Sequence, residues 1–374
     1  SSDLIRFKFK IMDIVFRVDS SNFIGSGHVV RCLTLADSLR KRTNSKIVFV
    51  CRNHLGHIGD EIISRGYDLK LLTKQHVKGG FKQKNICDYE EWLGNDWESD
   101  AEETISTFGS NKIDLLIVDH YGIDFYWHKK LQKYTKKLMV IDDLVNRKYD
   151  CDILLDQTFN RYKDAYYSLV PEHCKILVNT KYALLRPEFY KNRDFAIKKR
   201  REPFNLQHIL ISVGGGDSDN LSGEILEKLL EIEWDNPIII TIVLGWNSKH
   251  KLSLEQIPHK KLIEVNILEN ISNISELMIS ADIAIGAGGA TTWERCCLGL
   301  PSLVFITAKN QEESSLYLDS IGAIDVIKNM SEIKEKIIAL KQGRGVDIGS
   351  MIRTSLSICD GVGSERVVDE IMGF

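Results

Sequence analysis

The sequence sets a histidine directly behind a glycine-bearing turn. The apolar run Ile14–Val18 gives way to Asp19-Ser20-Ser21-Asn22-Phe23-Ile24-Gly25-Ser26-Gly27-His28, and a helix-period segment follows. Glycines at a strand-to-helix turn let the main chain approach a ligand closely, and a helix amino end attracts anions. The Gly25-Ser26-Gly27 triplet falls short of the Gly-x-Gly-x-x-Gly dinucleotide fingerprint. His28, on the first helical turn, suits general-base work because imidazole titrates near neutral pH. A histidine that merely hydrogen-bonds the loop fits the same position, so this segment alone leaves both readings open.

Two later turns have a similar make-up. Gly214-Gly215-Gly216-Asp217-Ser218-Asp219-Asn220 follows the run His208–Val213, and its successive amides could hold a phosphate or a sugar. Asp217 and Asp219 have the spacing of a divalent-metal pair, but carboxylates beside a helix start more often cap it, and no metal is assigned here. The third turn opens the segment Gly286-Ala287-Gly288-Gly289-Ala290-Thr291-Thr292-Trp293-Glu294-Arg295-Cys296-Cys297, a strand end and a short helix stopped by Gly299 and Pro301. The amides of Gly288 and Gly289 and the hydroxyls of Thr291 and Thr292 make a seat for a pyrophosphate. Glu294, one turn into the helix, could accept hydrogen bonds from both hydroxyls of a ribose. It could equally be a surface glutamate paired with Arg295 or another neighbour. Cys296 and Cys297 read as helix packing rather than as a nucleophile.

Asp119, His120 and Tyr121 close the run Leu115–Val118 and so reach a sheet edge. Neighbours along a strand point to opposite sides, which argues against an Asp119–His120 dyad. Asp142-Asp143 ends another run and suits a structural role in the loop beyond. His54, His57, His76, His128, His173, His208, His250 and His259 lack metal-type partner spacing and read as structural.

The elements that must position these residues alternate along the chain. Strand-like runs at Ile14–Val18, Ile47–Cys51, Leu69–Leu72, Leu115–Val118 and Leu138–Ile141 are separated by amphipathic stretches such as Val29–Leu39. The rhythm pauses over Arg186–Phe204, which is charged and bracketed by prolines, and restarts with His208–Val213, Ile238–Leu244, Ile283–Ile285 and Leu303–Ile306. This predicts an α/β protein of two Rossmann-like domains with a ligand cleft between them. The expected division is residues 1–11 as an extension before Met12, 12–186 as a sugar and catalytic-base domain, 187–206 as a linker, and 207–374 as a nucleotide domain.

Composition excludes several classes. The 374 residues carry a formal charge of -3, without the basic excess of a nucleic-acid binder. No stretch reaches the roughly 20 apolar residues that span a bilayer. The eight cysteines lack CxxC spacing, which points to reduced thiols in a cytoplasmic protein, and no secretory leader is read at the start.

Taken in order, GSGHVVRCLTLADSLR, EEWLG with DAEETI, IVDHYGID, IDDLVNRKYDCDILLDQ, ALLRPEF, SVGGGDSDN and GAGGATTWERCCLGLPS with AKNQ resemble one family. It is the UDP-2,4-diacetamido-2,4,6-trideoxy-β-L-altropyranose hydrolases of pseudaminic acid biosynthesis, and the resemblance runs from about Met12 past Gln311. It implies a GT-B fold, no metal or other cofactor, and a UDP-linked amino sugar as substrate. By similarity His28 would be the base that activates water, with Gly25, Ser26 and Gly27 on the sugar and phosphate side. Glu294 would hold the uridine ribose, and Thr291 and Thr292 would lie near the pyrophosphate. Tyr121, Arg186, Gly215, Gly288, Gly289 and Asn310 would complete the substrate site. Lys309 departs from the pattern, where a Glu or Asn is expected. The implied reaction is hydrolysis at the anomeric carbon with inversion, releasing UDP. The rival expectation is a GT-B glycosyltransferase that passes the same sugar to an acceptor; a membrane-bound acceptor would call for an exposed apolar patch in the first half, and no such stretch stands out in the sequence.

Overall fold

A computed structural model describes residues 11–73, 89–109, 112–214, 217, 220–245, 248–269, 271 and 273–373. The chain divides into two compact units, one running to Leu184 and resuming at Ser364, the other spanning Leu185–Gly363. The expected extension lies almost wholly outside the described residues, as do His76, Gly215 and Asp219.

In the first unit β1 (Asp13–Val18), β2 (Lys46–Arg52), β3 (Asp68–Leu72), β4 (Ile113–Asp119), β5 (Thr135–Ile141), β6 (Ile153–Asp156) and β7 (Lys175–Val178) form a parallel sheet in the order β3-β2-β1-β4-β5-β6-β7. Strands of a parallel sheet are covered on both faces, so they read as continuous apolar runs. β1 shows this, with every residue after Asp13 buried. Strand order reverses between β1 and β4, which are hydrogen-bonded neighbours. Ligands of such sheets bind beyond the carboxyl ends of the strands at that reversal.

The second unit repeats the plan with β8 (His208–Ser212), β9 (Ile238–Leu244), β10 (Ile263–Glu269), β11 (Ile283–Ala287), β12 (Ser302–Phe305) and β13 (Asp325–Ile327), ordered β10-β9-β8-β11-β12-β13. Its reversal falls between β8 and β11. Two parallel-sheet α/β domains are thus present, as the alternation predicts. Among the described residues no helix is long and apolar enough to cross a membrane, and the seven cysteines there are in the thiol form.

Two boundaries differ from expectation. Residues 187–206, read as a linker from their charge, contain the helix Pro187–Lys199, with Pro187 in its first turn. Arg193 within this helix and Arg200 just after it are not a solvated face. Arg193 donates to the carbonyls of Cys297, Cys359 (2.8 Å) and Leu356 (2.6 Å), and Arg200 to those of Ala281 (2.7 Å) and Met278 (2.6 Å). Carbonyls at helix carboxyl ends have no partner within the helix, and guanidinium groups satisfy them. The second difference concerns the final helix, Gly363–Met372, which belongs with the first unit from Ser364 onward rather than with the second. Val367, Val368 and Ile371 are buried, and Arg42 donates to Asp369 (2.9 Å) and Tyr182 to Glu370 (3.1 Å).

Candidate functional site

Each unit gathers a cluster at its strand reversal. In the first, β1 leads through residues 19–26 into the helix Gly27–Arg42. Asp19 anchors the start of that loop. It accepts from Arg17 Nη1 (2.7 Å) and from the backbone N–H of Arg52 (2.6 Å), and His120 Nε2 lies 3.1 Å from its other oxygen. Behind it Arg17 and Arg52 both donate to Asp100, which also accepts from Trp127 Nε1 (3.0 Å). Burial opposes the charge on Asp19, but Arg17 and then His120 hold its carboxyl well below the usual carboxylate range. Breaking one member from such a buried network typically costs ~3–5 kcal/mol. Downstream, Ser21 Oγ accepts the N–H groups of Phe23 (3.1 Å) and Ile24 (2.8 Å), and Gly25 donates back to the Ser21 carbonyl (2.9 Å). The turn is therefore fixed at both ends. Ser26, the cap of the helix, contributes no side-chain bond to the first amides.

His28 points into this frame. Its Nδ1 lies 2.7 Å from Asp119 Oδ1, at the end of β4. Arg31, three positions along on the same helix face, donates from Nε to Oδ2 and from Nη2 to Oδ1 of Asp119, both at 2.6 Å. Burial works against the Asp119 charge, yet Arg31 first and His28 second hold its carboxyl below the ordinary range. An ionised Asp119 only accepts, so the proton shared with His28 resides on Nδ1, which leaves Nε2 as the ring nitrogen that can serve as a base. No hydrogen bond engages Nε2 among the described residues.

Aromatic rings wall the imidazole. Tyr121 meets it edge-on at 4.7 Å and Trp92 at 5.8 Å, and the Trp92 and Tyr121 rings stack at 5.3 Å. The Tyr121 hydroxyl donates to Asp143, whose other oxygen lies 3.7 Å from Arg31 Nη1. Burial and then Asp143 push the Tyr121 phenol well above its usual value. Sequence alone gives Arg31 and Trp92 no role, assigns Asp143 a structural one and places Asp119 only at a strand end. The signals were present in HVVR, where His28 and Arg31 share helix spacing, and in the strand end at Asp119. Asp119 does turn away from His120, as alternation requires, but its partner is His28.

In the second unit the two glycine turns follow β8 and β11. Asp217 accepts the Ser222 N–H (3.3 Å) at the start of the helix Leu221–Leu230, a capping contact. Gly286 allows β8 and β11 to approach, since a Cβ there would fall 2.0 Å from the Ser212 carbonyl oxygen. Gly289, at φ 94°, is in a region that side chains avoid, and it launches the helix Ala290–Cys297 with no side-chain cap over its first amides. Thr291 is half-buried and beside these amides, but Thr292 is buried and accepts from Arg295 Nη2 (3.2 Å). The turn is backed by Gln311, whose Oε1 accepts from Thr307 N–H (3.2 Å) and sits against Gly288. Asn310, beside it, is exposed.

Glu294 is half-buried, and Arg186 Nη2 donates to its Oε1 at 3.3 Å. A Glu294–Arg295 pair does not form, because Arg295 turns inward to the Ala287 carbonyl. Arg186 also lies 3.5 Å from Glu188. Among the described residues no group of three or more His, Cys, Asp or Glu side chains is arranged to hold a metal ion.

Comparison with known proteins follows the same division. Residues 208–339 match the glycosyltransferase family 28 C-terminal domain. The chain is 28% identical over 341 residues to an uncharacterized protein of Methanocaldococcus jannaschii, covering 90% of this chain and 62% of that protein. It is 27% identical over 312 residues to the UDP-2,4-diacetamido-2,4,6-trideoxy-beta-L-altropyranose hydrolase of Campylobacter jejuni, covering 83% of this chain and 97% of that one. The structure of Acinetobacter baumannii MurG superimposes with a TM-score of 0.65 at 13% identity, over 97% of this chain and 100% of that chain. The protein is therefore a two-domain α/β chain of GT-B type, with a second domain that matches glycosyltransferase family 28 and a sequence similar along most of its length to the UDP-diacetamido-sugar hydrolase.

Proposed function

We propose that this protein is an enzyme that hydrolyses a UDP-linked 2,4-diacetamido-2,4,6-trideoxy sugar to free sugar and UDP, a step of pseudaminic acid formation. The observation that carries the reading is the His28–Asp119 pair, which orients an imidazole with an open Nε2 at the strand reversal of the first domain. His28 takes a proton from water as the water oxygen bonds to the anomeric carbon, and the bond from that carbon to the diphosphate oxygen breaks with inversion. Gly25, Ser26 and Gly27 line the sugar side, with Tyr121 closing the wall around His28. In the second domain the Gly288-Gly289 turn, the uncapped helix start and Thr291 stabilise the departing diphosphate, while Glu294, held by Arg186, accepts from the ribose hydroxyls. Asn310 extends that site. UDP is a good leaving group once its charge is held, so one base suffices where glycosidases with poor leaving groups need a second carboxylic acid.

The test is UDP release from a UDP-diacetamido sugar in ¹⁸O-labelled water with excess chelator and no acceptor. Label should enter the sugar. Label in UDP would place attack at phosphorus, and loss of activity with chelator would overturn the metal-free step.

One observation favours a second reading. Phe23 and Leu55 are exposed on adjoining loops of the first domain, where Asn22 N–H bonds to the Leu55 carbonyl (3.1 Å). Two apolar tips beside the His28 turn would suit an apolar sugar acceptor, and the enzyme would then be a glycosyltransferase. UDP release that starts only when an acceptor is added would favour this reading over hydrolysis.

A further inference from the structure

The helix Ala290–Cys297 carries a buried arginine that none of the roles above uses. Arg295 is 2% exposed. Its Nη2 donates to the Ala287 carbonyl (2.8 Å) and to Thr292 Oγ1 (3.2 Å). Its Nε and Nη1 are buried without a hydrogen-bond partner among the described residues. No carboxylate there forms an ion pair with it, since the adjacent Glu294 receives Arg186 instead. Burial lowers the guanidinium to about 10, with Cys296 and Glu294 working in the other direction, so at neutral pH it remains a cation.

A buried, unpaired cation is an expensive thing to keep, and buried charges are ordinarily matched by a counter-charge. The position of Arg295 indicates where a counter-charge would lie. Nη2 holds the carbonyl of the last residue of β11, immediately before the Gly288-Gly289 turn, and Nη1 lies 3.3 Å from where a Cβ on Gly286 would be. The guanidinium thus backs the glycine turn from the protein interior, and the helix that starts at the end of this turn has no side-chain cap.

We infer that Arg295 is a positioning residue for the diphosphate of the bound nucleotide, fixing the turn through Ala287 and Thr292 and supplying from behind it the positive charge that the ligand's phosphates match. The inference rests on the reading that this turn binds UDP. A purely structural arginine would affect every ligand of the domain equally, whereas a buried charge discriminates by ligand charge and is poorly screened by salt.

Calorimetric titration of UDP, and of uridine by competition, into wild type, Arg295→Met, Arg295→Gln and Arg295→Lys tests this, with thermal melts of the free proteins. Arg295→Gln keeps a donor for Ala287 and removes the charge, so it remains informative if the methionine variant does not fold. Gln and Met should weaken UDP about 10- to 100-fold, as expected for loss of a charge interaction several ångströms away at low effective dielectric, and uridine by less than about threefold. Lys should keep most of the preference for UDP. A UDP-to-uridine preference unchanged in the Gln variant overturns the inference, as does equal loss for both ligands. A wild-type protein that binds UDP no better than uridine overturns the nucleotide reading itself, a result separable from the first two.

Discussion

Asp119 and His28 are 91 positions apart and meet at 2.7 Å, on a carboxylate whose two oxygens are simultaneously gripped by Arg31. The arrangement holds the imidazole in one tautomer and leaves Asp119 no freedom to swing away. It also means that the base, its orienting group and the clamp on that group stand or fall together.

His28→Ala should lower turnover by roughly 10²–10⁴-fold while UDP binding persists, because the loss is confined to proton transfer. Asp119→Asn should lower turnover by about 10²-fold or more through the wrong tautomer, and should also melt at lower temperature because Arg31 loses its partner. Steady-state rates paired with UDP titrations check both. Near-normal turnover of the alanine variant would remove His28 from the mechanism.

Glu294→Ala should weaken UDP by one to a few orders of magnitude, each charge-assisted bond to a ribose hydroxyl contributing ~1.5–3 kcal/mol. The affinity for a 2′,3′-dideoxy analogue should hardly change, since it lacks the hydroxyls in question. Calorimetry with the two nucleotides decides the matter, and equal losses would reduce Glu294 to a partner of Arg186.

Asp156 predicts a pH effect on stability. Burial first, and the neighbouring Asp143 second, push its carboxyl up to about 6. A folded-state value above that of the unfolded chain means that the folded protein binds the proton more tightly. The contribution is therefore full below the unfolded value near 4 and is lost as pH rises through about 6. Urea unfolding across pH 4 to 8 should show this decline in wild type and a flatter profile in Asp156→Asn. A wild-type profile that rises throughout that interval would contradict it.

Arg193→Met should destabilise the second domain by ~2–4 kcal/mol, because the carbonyls of Cys297, Cys359 and Leu356 lose their donor. Chemical denaturation followed by a probe in that domain measures it. A change below about 0.5 kcal/mol would show that water replaces the guanidinium.

The fold was legible where burial is two-sided. β1, β4, β9 and β11 announce themselves as apolar runs because helices cover both faces of a parallel sheet. β6, β7 and β13 passed unnoticed at four, four and three residues, too short to set a rhythm. β10 passed because it is an edge strand whose polar residues alternate with apolar ones. The candidate site divides along similar lines. His28 and the glycine turns are local signals, readable from a dozen residues. The His28–Asp119 and Arg186–Glu294 pairs depend on which strands and helices become neighbours, and spacing along the chain carries no trace of that. The segment around the helix Pro187–Lys199 reads as a linker for a related reason: Arg193 and Arg200 are charged, yet they serve carbonyl groups at the ends of distant helices rather than water.

The return of the last helix to the first unit has a consequence for biosynthesis. On the ribosome, a domain usually folds once its own residues have emerged. Here Val367, Val368 and Ile371, buried residues that group with the first unit, are translated after the whole of the second unit. The first unit must wait, with the surface these residues cover still open to water and to chaperones, until the intervening 179 residues, Leu185–Gly363, have been made. A nonsense codon or protease cut near Gly363 would spare the second unit and strike the one that carries His28.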